Sequence, residues 1–333
     1  MALGAAVIGL GVGKAHITAY REAGAEVRAI CDVNADLVNE VGEASGVADR
    51  YTDFRDVAGR DDIDVVSICT PDHIHADPAV AMMEAGKHVL VEKPLATSLE
   101  DIRRIAETAR RTGRLVSHGC QIRYGSVFQE VKRQVAAGDF GEVFYAEADY
   151  VSNHINLFQG GWRGALGPDY NAFAGGSIHP VDVVQWIVDS PAEEVTAYGN
   201  GIATRAHGLD VVDCGVAIIR FRNGCVAKTF VTMGSARPGF RNVQVFGTKK
   251  TFITAPSPPA DLIADLETRK WAPLDAPEGK KDSRVALIAD LLQAIETGAQ
   301  PQVNVEQAVR TAGICVAAFE SLRTGKPVKI PAF

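Results

Sequence analysis

At 333 residues the chain is longer than one hydrophobic core ordinarily supports, which predicts two domains. Apolar residues make up 47% and charged residues 23%, an ordinary globular balance, and a net charge of −7 argues against a nucleic-acid-binding surface. No apolar run reaches the ~18–20 residues that cross a bilayer, and the first residues show no basic leader pattern.

The first ~120 residues alternate short β-type runs with helical patterns. The run 5–9 is apolar and stops at Gly9; 14–24 reads as a helix closing on Gly24; 26–31 reads as a strand and 35–45 as a polar helix. Residues 64–70 and 87–92 are strand-like, separated by a helix over 78–86. A helix over 98–113 follows, with Ser98 as N-cap, acids in its first turn and Gly113 after it, and then a strand over 114–119. Continuous apolar strands spaced by helices predict a parallel sheet covered on both faces. After residue 123 the pattern changes. A helix over 127–138 precedes β-type segments at 142–151, 194–204, 211–221, 225–234, 240–247 and 250–254, with Asn223-Gly224 marking a hairpin. The proline-rich stretch 255–262 reads as a surface loop. Two helices close the chain, 284–297 capped by Ser283 and 305–324 capped by Asn304. The expected fold class is α/β: a doubly wound Rossmann domain over 1–122, then an α+β domain over 123–333 with a large, mostly antiparallel open sheet.

"GLGVGKAH" (9–16) lies between the first strand and first helix, where a dinucleotide pyrophosphate meets helix N–H groups. It is G-x-G-x-G, with Lys14 in the place of the usual third glycine. Asp32 closes the second strand, where an acid can accept from both hydroxyls of an adenosine ribose. Gly9, Leu10, Gly11, Val12, Gly13, Asp32 and Val33 are therefore candidate cofactor residues. No Arg or Lys follows within 32–40 to hold a 2′-phosphate, so the expected cofactor is NAD rather than NADP. The six cysteines (Cys31, Cys69, Cys120, Cys214, Cys225, Cys315) form no Cys-x-x-Cys pair. They fit small core residues of a cytoplasmic protein and imply no metal site.

The segment "VLVEKPLA" (89–96) sets an abrupt pair of opposite charges, Glu92-Lys93, at the end of an apolar strand. Together with the surrounding run over 64–109 it closely resembles the Gfo/Idh/MocA family, oxidoreductases related to glucose–fructose oxidoreductase and inositol 2-dehydrogenase. The likeness takes in His16 of the glycine loop, Thr70-Pro71, His75, residues 86–89 and Glu92-Lys93-Pro94. It continues through "QIRY" (121–124), "AAGDFGEV" (136–143), "GGWR" (160–163), "GGSIHPVD" (175–182) and "SLRTGKPVKI" (321–330). The resemblance implies a Rossmann domain plus an open-sheet substrate domain, NAD(P) as cofactor, and sugars, polyols or their derivatives as substrates. It adds Thr70, Pro71, His75, Glu92, Lys93 and Gln121 to the cofactor site and places Lys93 against both cofactor and reacting oxygen. An ammonium there can stabilise developing alkoxide charge.

Pro180 suits a first helical position, which would make His179 an N-cap whose imidazole the helix dipole holds neutral and ready to act as general base. Asp182 would then be the third helical residue; the resemblance makes it substrate-facing in an H-x-x-D motif. Many relatives carry an acid four residues before this histidine, where this chain has Gly175; Asp169, Asn171 or His154 are polar groups that could replace it. Arg123, His154, Asn156, Trp162 and Arg163 are candidate substrate residues, with "GGWRG" read as a loop, whereas His207 and Lys249-Lys250 read as surface. The expected function is interconversion of a secondary hydroxyl and a ketone or lactone. NAD-dependent glycoside hydrolysis or elimination through transient oxidation is one alternative, and cofactor-dependent regulation without turnover is another. A homodimer or homotetramer through the C-terminal sheet is expected from the resemblance, with no nucleic-acid or membrane partner.

Overall fold

In the computed structural model, which describes residues 2–166, 170–235, 239–254, 262–265, 268, 270–275 and 282–333, the first stretch alternates strand and helix. Its order is β1 (Gly4–Ile8), α1 (Leu10–Glu22), β2 (Glu26–Cys31), α2 (Ala35–Ser45), β3 (Asp49–Tyr51), α3 (Phe54–Ala58), β4 (Val65–Ile68), α4 (Ala76–Glu84), β5 (His88–Val91), α5 (Leu99–Thr112) and β6 (Val116–His118). These strands form a parallel sheet of order β3-β2-β1-β4-β5-β6. Every side chain of β1, β4 and β6 is buried, as two covered faces require. The chain reverses its direction of winding between β1 and β4, the switch point at which open α/β sheets bind ligands.

The second stretch contains α6 (Ser126–Ala136), β7 (Val143–Val151), α7 (Gly161–Leu166), α8 (Ala172–Gly175), α9 (Ile178–Val188), β8 (Ala192–Asn200), α10 (Ile202–Arg205), β9 (Cys214–Phe221), β10 (Val226–Thr232), β11 (Phe240–Gly247), β12 (Lys250–Ile253), β13 (Leu262–Asp265) and β14 (Lys270–Pro273). It is followed by α11 (Ser283–Thr297), α12 (Val305–Thr324) and β15 (Val328–Lys329). Nine strands pair in the order β14-β13-β12-β11-β7-β10-β9-β8-β15. β7 and β10 run parallel, and the other described pairs are antiparallel. Along β9, Ala217, Ile219 and Phe221 are buried while Ile218 and Arg220 are exposed, the alternation of a sheet with one covered face. All eleven residues of α9 are buried, and this helix packs on β7 and β10.

By packing, residues 1–124 group with 280–312 and 333, and residues 125–279 group with 313–332. The sequence reading cuts the chain once, near 122; the packing instead returns α11 to the first unit, against α1, β5 and the 3-10 turn Gln121–Tyr124. Several local expectations shift. Helix α1 begins at Leu10, so Gly11 and Gly13 lie inside its first turns rather than in a loop before residue 14. Asp282, not Ser283, caps α11, its carboxylate accepting from the Arg284 N–H at 2.8 Å. The hairpin expected at Asn223-Gly224 joins β9 to β10, its loop spanning four residues with Gly224 at φ +86°. The proline-rich stretch lies outside the described residues except for Leu262, which opens β13.

Candidate active site

The carboxyl ends of β1, β2, β4 and β5 carry the cofactor candidates. Gly9 leaves β1 at φ +90°, and a Cβ there would collide with the Cys69 carbonyl at the end of β4. A Cβ at Gly13 would sit 2.7 Å from Val7, so this glycine lets α1 lie close on β1, whereas one at Gly11 would meet no atom within 4 Å. The third glycine thus performs the helix–strand packing role one residue earlier than in the full fingerprint. Asp32 accepts from the Leu10 N–H at 2.7 Å and from the Asn34 N–H at 3.0 Å, tying the end of β2 to the glycine turn. Each of its oxygens keeps a second lone pair for a hydroxyl. Val12 is 45% exposed and Val33 89% exposed, apolar side chains held open at this edge of the sheet.

A cavity of about 360 Å³ opens here, lined by Gly9, Asp32, Val33, Thr70 and Pro71 among others. It is also lined by residues that the sequence reading missed: Thr52, Asp53, Phe54, Arg55, Ile74 and Asp77. A three-residue strand and a five-residue helix bring in the first four, segments too short for periodicity to signal, while Ile74 comes from the 3-10 turn after β4 and Asp77 from the first turn of α4. Arg55 brings a cation to this cavity, but Asp53 holds its guanidinium at 3.1 and 3.2 Å, and it lies over the Phe54 ring. Its charge is matched locally, while Asp32 and Asp77 face the same cavity, an environment hostile to a 2′-phosphate. Thr70 adds a buried hydroxyl with no hydrogen-bond partner among the described residues. Turn, acid, cavity and orphan hydroxyl together fit a dinucleotide.

At the end of β5 the Glu92 carboxylate points inward. Its Oε1 lies 3.0 Å from His16 Nε2, and its Oε2 accepts from the Lys93 N–H at 3.0 Å. Burial alone would raise its pKa, but the His16 hydrogen bond and charge, with Lys93, outweigh that and hold it at about 2. The Lys93–Pro94 peptide is cis. His75 is buried, with Nδ1 2.7 Å from the Pro94 carbonyl and Nε2 2.9 Å from the Thr70 carbonyl. Its ring therefore braces the turn after β5 against the end of β4. Gln121 opens the 3-10 turn after β6, and Arg123 in the same turn is fully buried, donating to the Gln302 carbonyl at 3.4 Å.

In the second unit, His179 is the second residue of α9, not its cap; Ser177 is the N-cap and Pro180 the third helical residue. Proline is tolerated throughout a first turn, whose N–H groups have no intrahelical acceptor, so it does not fix the start. Asp182 is consequently the fifth residue, 1% exposed, and its charge reinforces the effect of burial in pushing the Cys315 thiol up. The His179 ring lies 5.4 Å from that of Tyr150, and the Arg241 guanidinium lies 5.7 Å from the same Tyr150 ring. Tyr150 and Arg241 are cross-strand partners on β7 and β11, neither of them anticipated. The available signal is the register of β7, where Tyr150 continues the phase of buried Ala146 and Ala148.

A side chain at Gly175 would run into the Tyr170 hydroxyl and Met233, so this position has no room for an acid without rearrangement. Of the alternatives, Asn171 caps α8 by accepting from the Ala174 N–H at 3.0 Å, the His154 N–H donates to the Met233 carbonyl, and Asp169 lies outside the described residues. "GGWRG" is helical from Gly161 onward, not a loop: Trp162 meets Tyr170 edge-on at 5.8 Å and packs on the core around Phe158 and Val231. Arg163 stacks 4.2 Å from the Trp162 ring centroid. Asn156 and His207 are exposed, while Lys250 is half-buried near Asp139 and Gln134 rather than simply at the surface.

A doubly wound parallel domain with this glycine turn, acid and strand-end Glu-Lys pair, followed by an open-sheet domain, defines an NAD-dependent oxidoreductase. The oxidoreductase-family model for the NAD-binding Rossmann fold matches residues 3–120, and that for the C-terminal alpha/beta domain matches residues 132–330. The chain belongs to the Gfo/Idh/MocA family. It is 25% identical over 335 residues to myo-inositol 2-dehydrogenase of Thermotoga maritima, covering 97% of each chain. It is 26% identical over 330 residues to 1,5-anhydro-D-fructose reductase of Ensifer adhaerens, covering 94% of each. The structure of levoglucosan dehydrogenase in complex with NADH superposes with a TM-score of 0.89 at 22% identity over 100% of both chains, a likeness of fold.

Proposed function

We propose that the protein interconverts a secondary hydroxyl and a ketone or lactone on a sugar, cyclitol or sugar derivative. The observation that carries this is the Glu92-Lys93 pair at the carboxyl end of β5, on the sheet edge that also bears the glycine turn and Asp32. The named substrates of the two full-length relatives, an inositol and an anhydro-sugar, are polyhydroxylated rings. NAD supplies the hydride acceptor when bound. Gly9, Leu10, Gly11, Val12 and Gly13 hold its pyrophosphate, Asp32 and Val33 its adenosine, and Thr70, Pro71, Glu92, Lys93 and Gln121 the nicotinamide half, with His75 bracing the last group. The Lys93 ammonium donates to the reacting oxygen and stabilises negative charge on it. His179 takes the hydroxyl proton in oxidation and returns it in reduction. Asp182, Arg123, His154, Trp162 and Arg163 complete the substrate side.

Six free cysteines support a reducing, cytoplasmic setting. The open face of the nine-stranded sheet displays Tyr198, Ile218 and Val226 to solvent, which supports self-association of the chain through that face.

The test is NADH absorbance during a screen of cyclitols, aldoses, sugar acids and anhydro-sugars. Lys93→Ala and His179→Ala are each expected to lower kcat by about 10²–10⁴-fold on the best substrate. Undiminished turnover in both variants, or product release from a glycoside with no net NADH, would overturn the assignment.

A further inference from the structure

Behind the Glu92-Lys93 turn, Glu92 is joined to a chain of polar side chains inside the first unit, His16, Ser67 and Tyr20, that the proposed chemistry does not use. Glu92 Oε1 is 3.0 Å from His16 Nε2; His16 Nδ1 is 3.0 Å from Ser67 Oγ; Ser67 Oγ is 3.0 Å from the Tyr20 hydroxyl. His16, Ser67 and Tyr20 are fully buried, and Glu92 nearly so. His16 and Tyr20 lie on α1, Ser67 on the middle strand β4, and Glu92 at the end of β5. The chain of contacts therefore crosses from the helix that opens with the glycine turn to the residue preceding Lys93.

An ionised carboxylate only accepts, so His16 Nε2–H donates to Glu92; Nδ1 then faces the Ser67 hydroxyl, which also contacts the Tyr20 hydroxyl. Each polar atom has a neighbour of the right kind, the condition under which a buried network rigidifies its surroundings. Glu92 uses its other oxygen on the Lys93 amide, so whatever fixes the carboxylate fixes the Lys93 backbone. The end of β6 closes the remaining side, since a Cβ at Gly119 would come within 2.9 Å of the Lys93 nitrogen and 3.0 Å of Glu92 Oε2. A space that needed only filling would take apolar side chains of the same volume.

We infer that His16, acting through Glu92, is a positioning residue for Lys93, and that Ser67 and Tyr20 orient the His16 ring. The inference rests on the reading of Lys93 given above. In His16→Asn the link to Glu92 is lost while the space stays partly filled; in His16→Gln an amide N–H can still reach the carboxylate. A misplaced Lys93 is expected to lower kcat by up to about 100-fold, with the substrate KM changed much less. His16→Gln recovers most of the loss, and Glu92→Gln resembles His16→Asn.

A second readout needs no turnover: the rate at which Lys93 is reductively methylated, followed by mass spectrometry with and without NADH. Protection by NADH is expected in the wild type and in His16→Gln, and is lost in His16→Asn. The outcomes separate. If Lys93→Ala keeps its activity, the reading of Lys93 fails. If Lys93→Ala is inactive but folded His16→Asn keeps both kcat and NADH protection of Lys93, the positioning role fails. A lower melting temperature in His16→Asn with kcat and protection intact would likewise make His16 structural only.

Discussion

Glu92 and His88 stand at opposite ends of β5, and acid reaches them in different pH ranges. Burial, with the Arg114 guanidinium, lowers the His88 pKa from 6.5 to about 4, and its Nδ1 accepts the Leu115 N–H at 2.9 Å. The folded state therefore keeps this ring neutral where the unfolded chain protonates it, and stability falls as the pH drops from 6.5 toward 4. Glu92 has its pKa lowered from 4.5 to about 2, so its stabilisation is present above 4.5 and is lost between 4.5 and 2. The two ranges scarcely overlap, which makes His88 separable. His88→Asn preserves an acceptor for the Leu115 N–H and removes the titration. The urea midpoint of the wild type is expected to fall between pH 6.5 and 4 by an amount worth on the order of 1–2 kcal/mol after solvent screening. His88→Asn should flatten that segment and leave the decline below pH 4.5 in place. Equal slopes for the two proteins would remove His88 as the cause. Nothing in the sequence signals either shift: "KHVLVEK" shows the charges but not the depth at which they sit.

At the level of elements, the turn from β1 into α1 separates what a glycine does for folding from what it does for the ligand. A side chain at Gly9 meets both a left-handed φ and the Cys69 carbonyl, whereas one at Gly11 meets open space on a helical turn. Gly9→Ala is expected to destabilise the first unit by at least about 1–3 kcal/mol through backbone strain. Gly11→Ala should gain up to about 1 kcal/mol of helix propensity and still bind NADH more weakly, because its methyl group enters the space proposed for the pyrophosphate. Thermal melts and NADH fluorescence titrations on both variants read the two effects independently. A Gly11→Ala protein with unaltered NADH affinity would move the pyrophosphate elsewhere. The element pattern itself is legible because continuous apolar runs such as "VVSIC" can be covered only on both faces, and because Ser98 is an unambiguous cap. The errors came from adjacent candidates of similar chemistry. Asp282 precedes Ser283 and caps equally well, and Pro180 is compatible with three positions of a first turn. Only the backbone path decides between them.

At the scale of the whole chain, the least legible feature is the allegiance of α11. Its apolar periodicity announces a helix with a face to bury, but no local pattern says which core receives it. The β-rich stretch preceding it makes the second domain the natural guess. Its packing is instead with α1, β5 and the turn after β6, where Leu287, Ile288, Leu291 and Leu292 are almost wholly buried. Four such side chains are worth roughly 1.5–3 kcal/mol each relative to exposure, about 6–12 kcal/mol together. That is comparable to the ~5–15 kcal/mol that holds an entire domain folded. A fragment of residues 1–122 is therefore expected to lack a cooperative thermal transition and to bind no NADH, although it contains all six parallel strands and the glycine turn. Joining residues 282–312 to residue 124 through a flexible linker should restore both, since the missing face is returned without the nine-stranded sheet. Circular-dichroism melts and NADH fluorescence on the two fragments and the full chain decide the matter. If residues 1–122 melt cooperatively and bind NADH as the full chain does, α11 is an accessory to the first unit rather than part of its core.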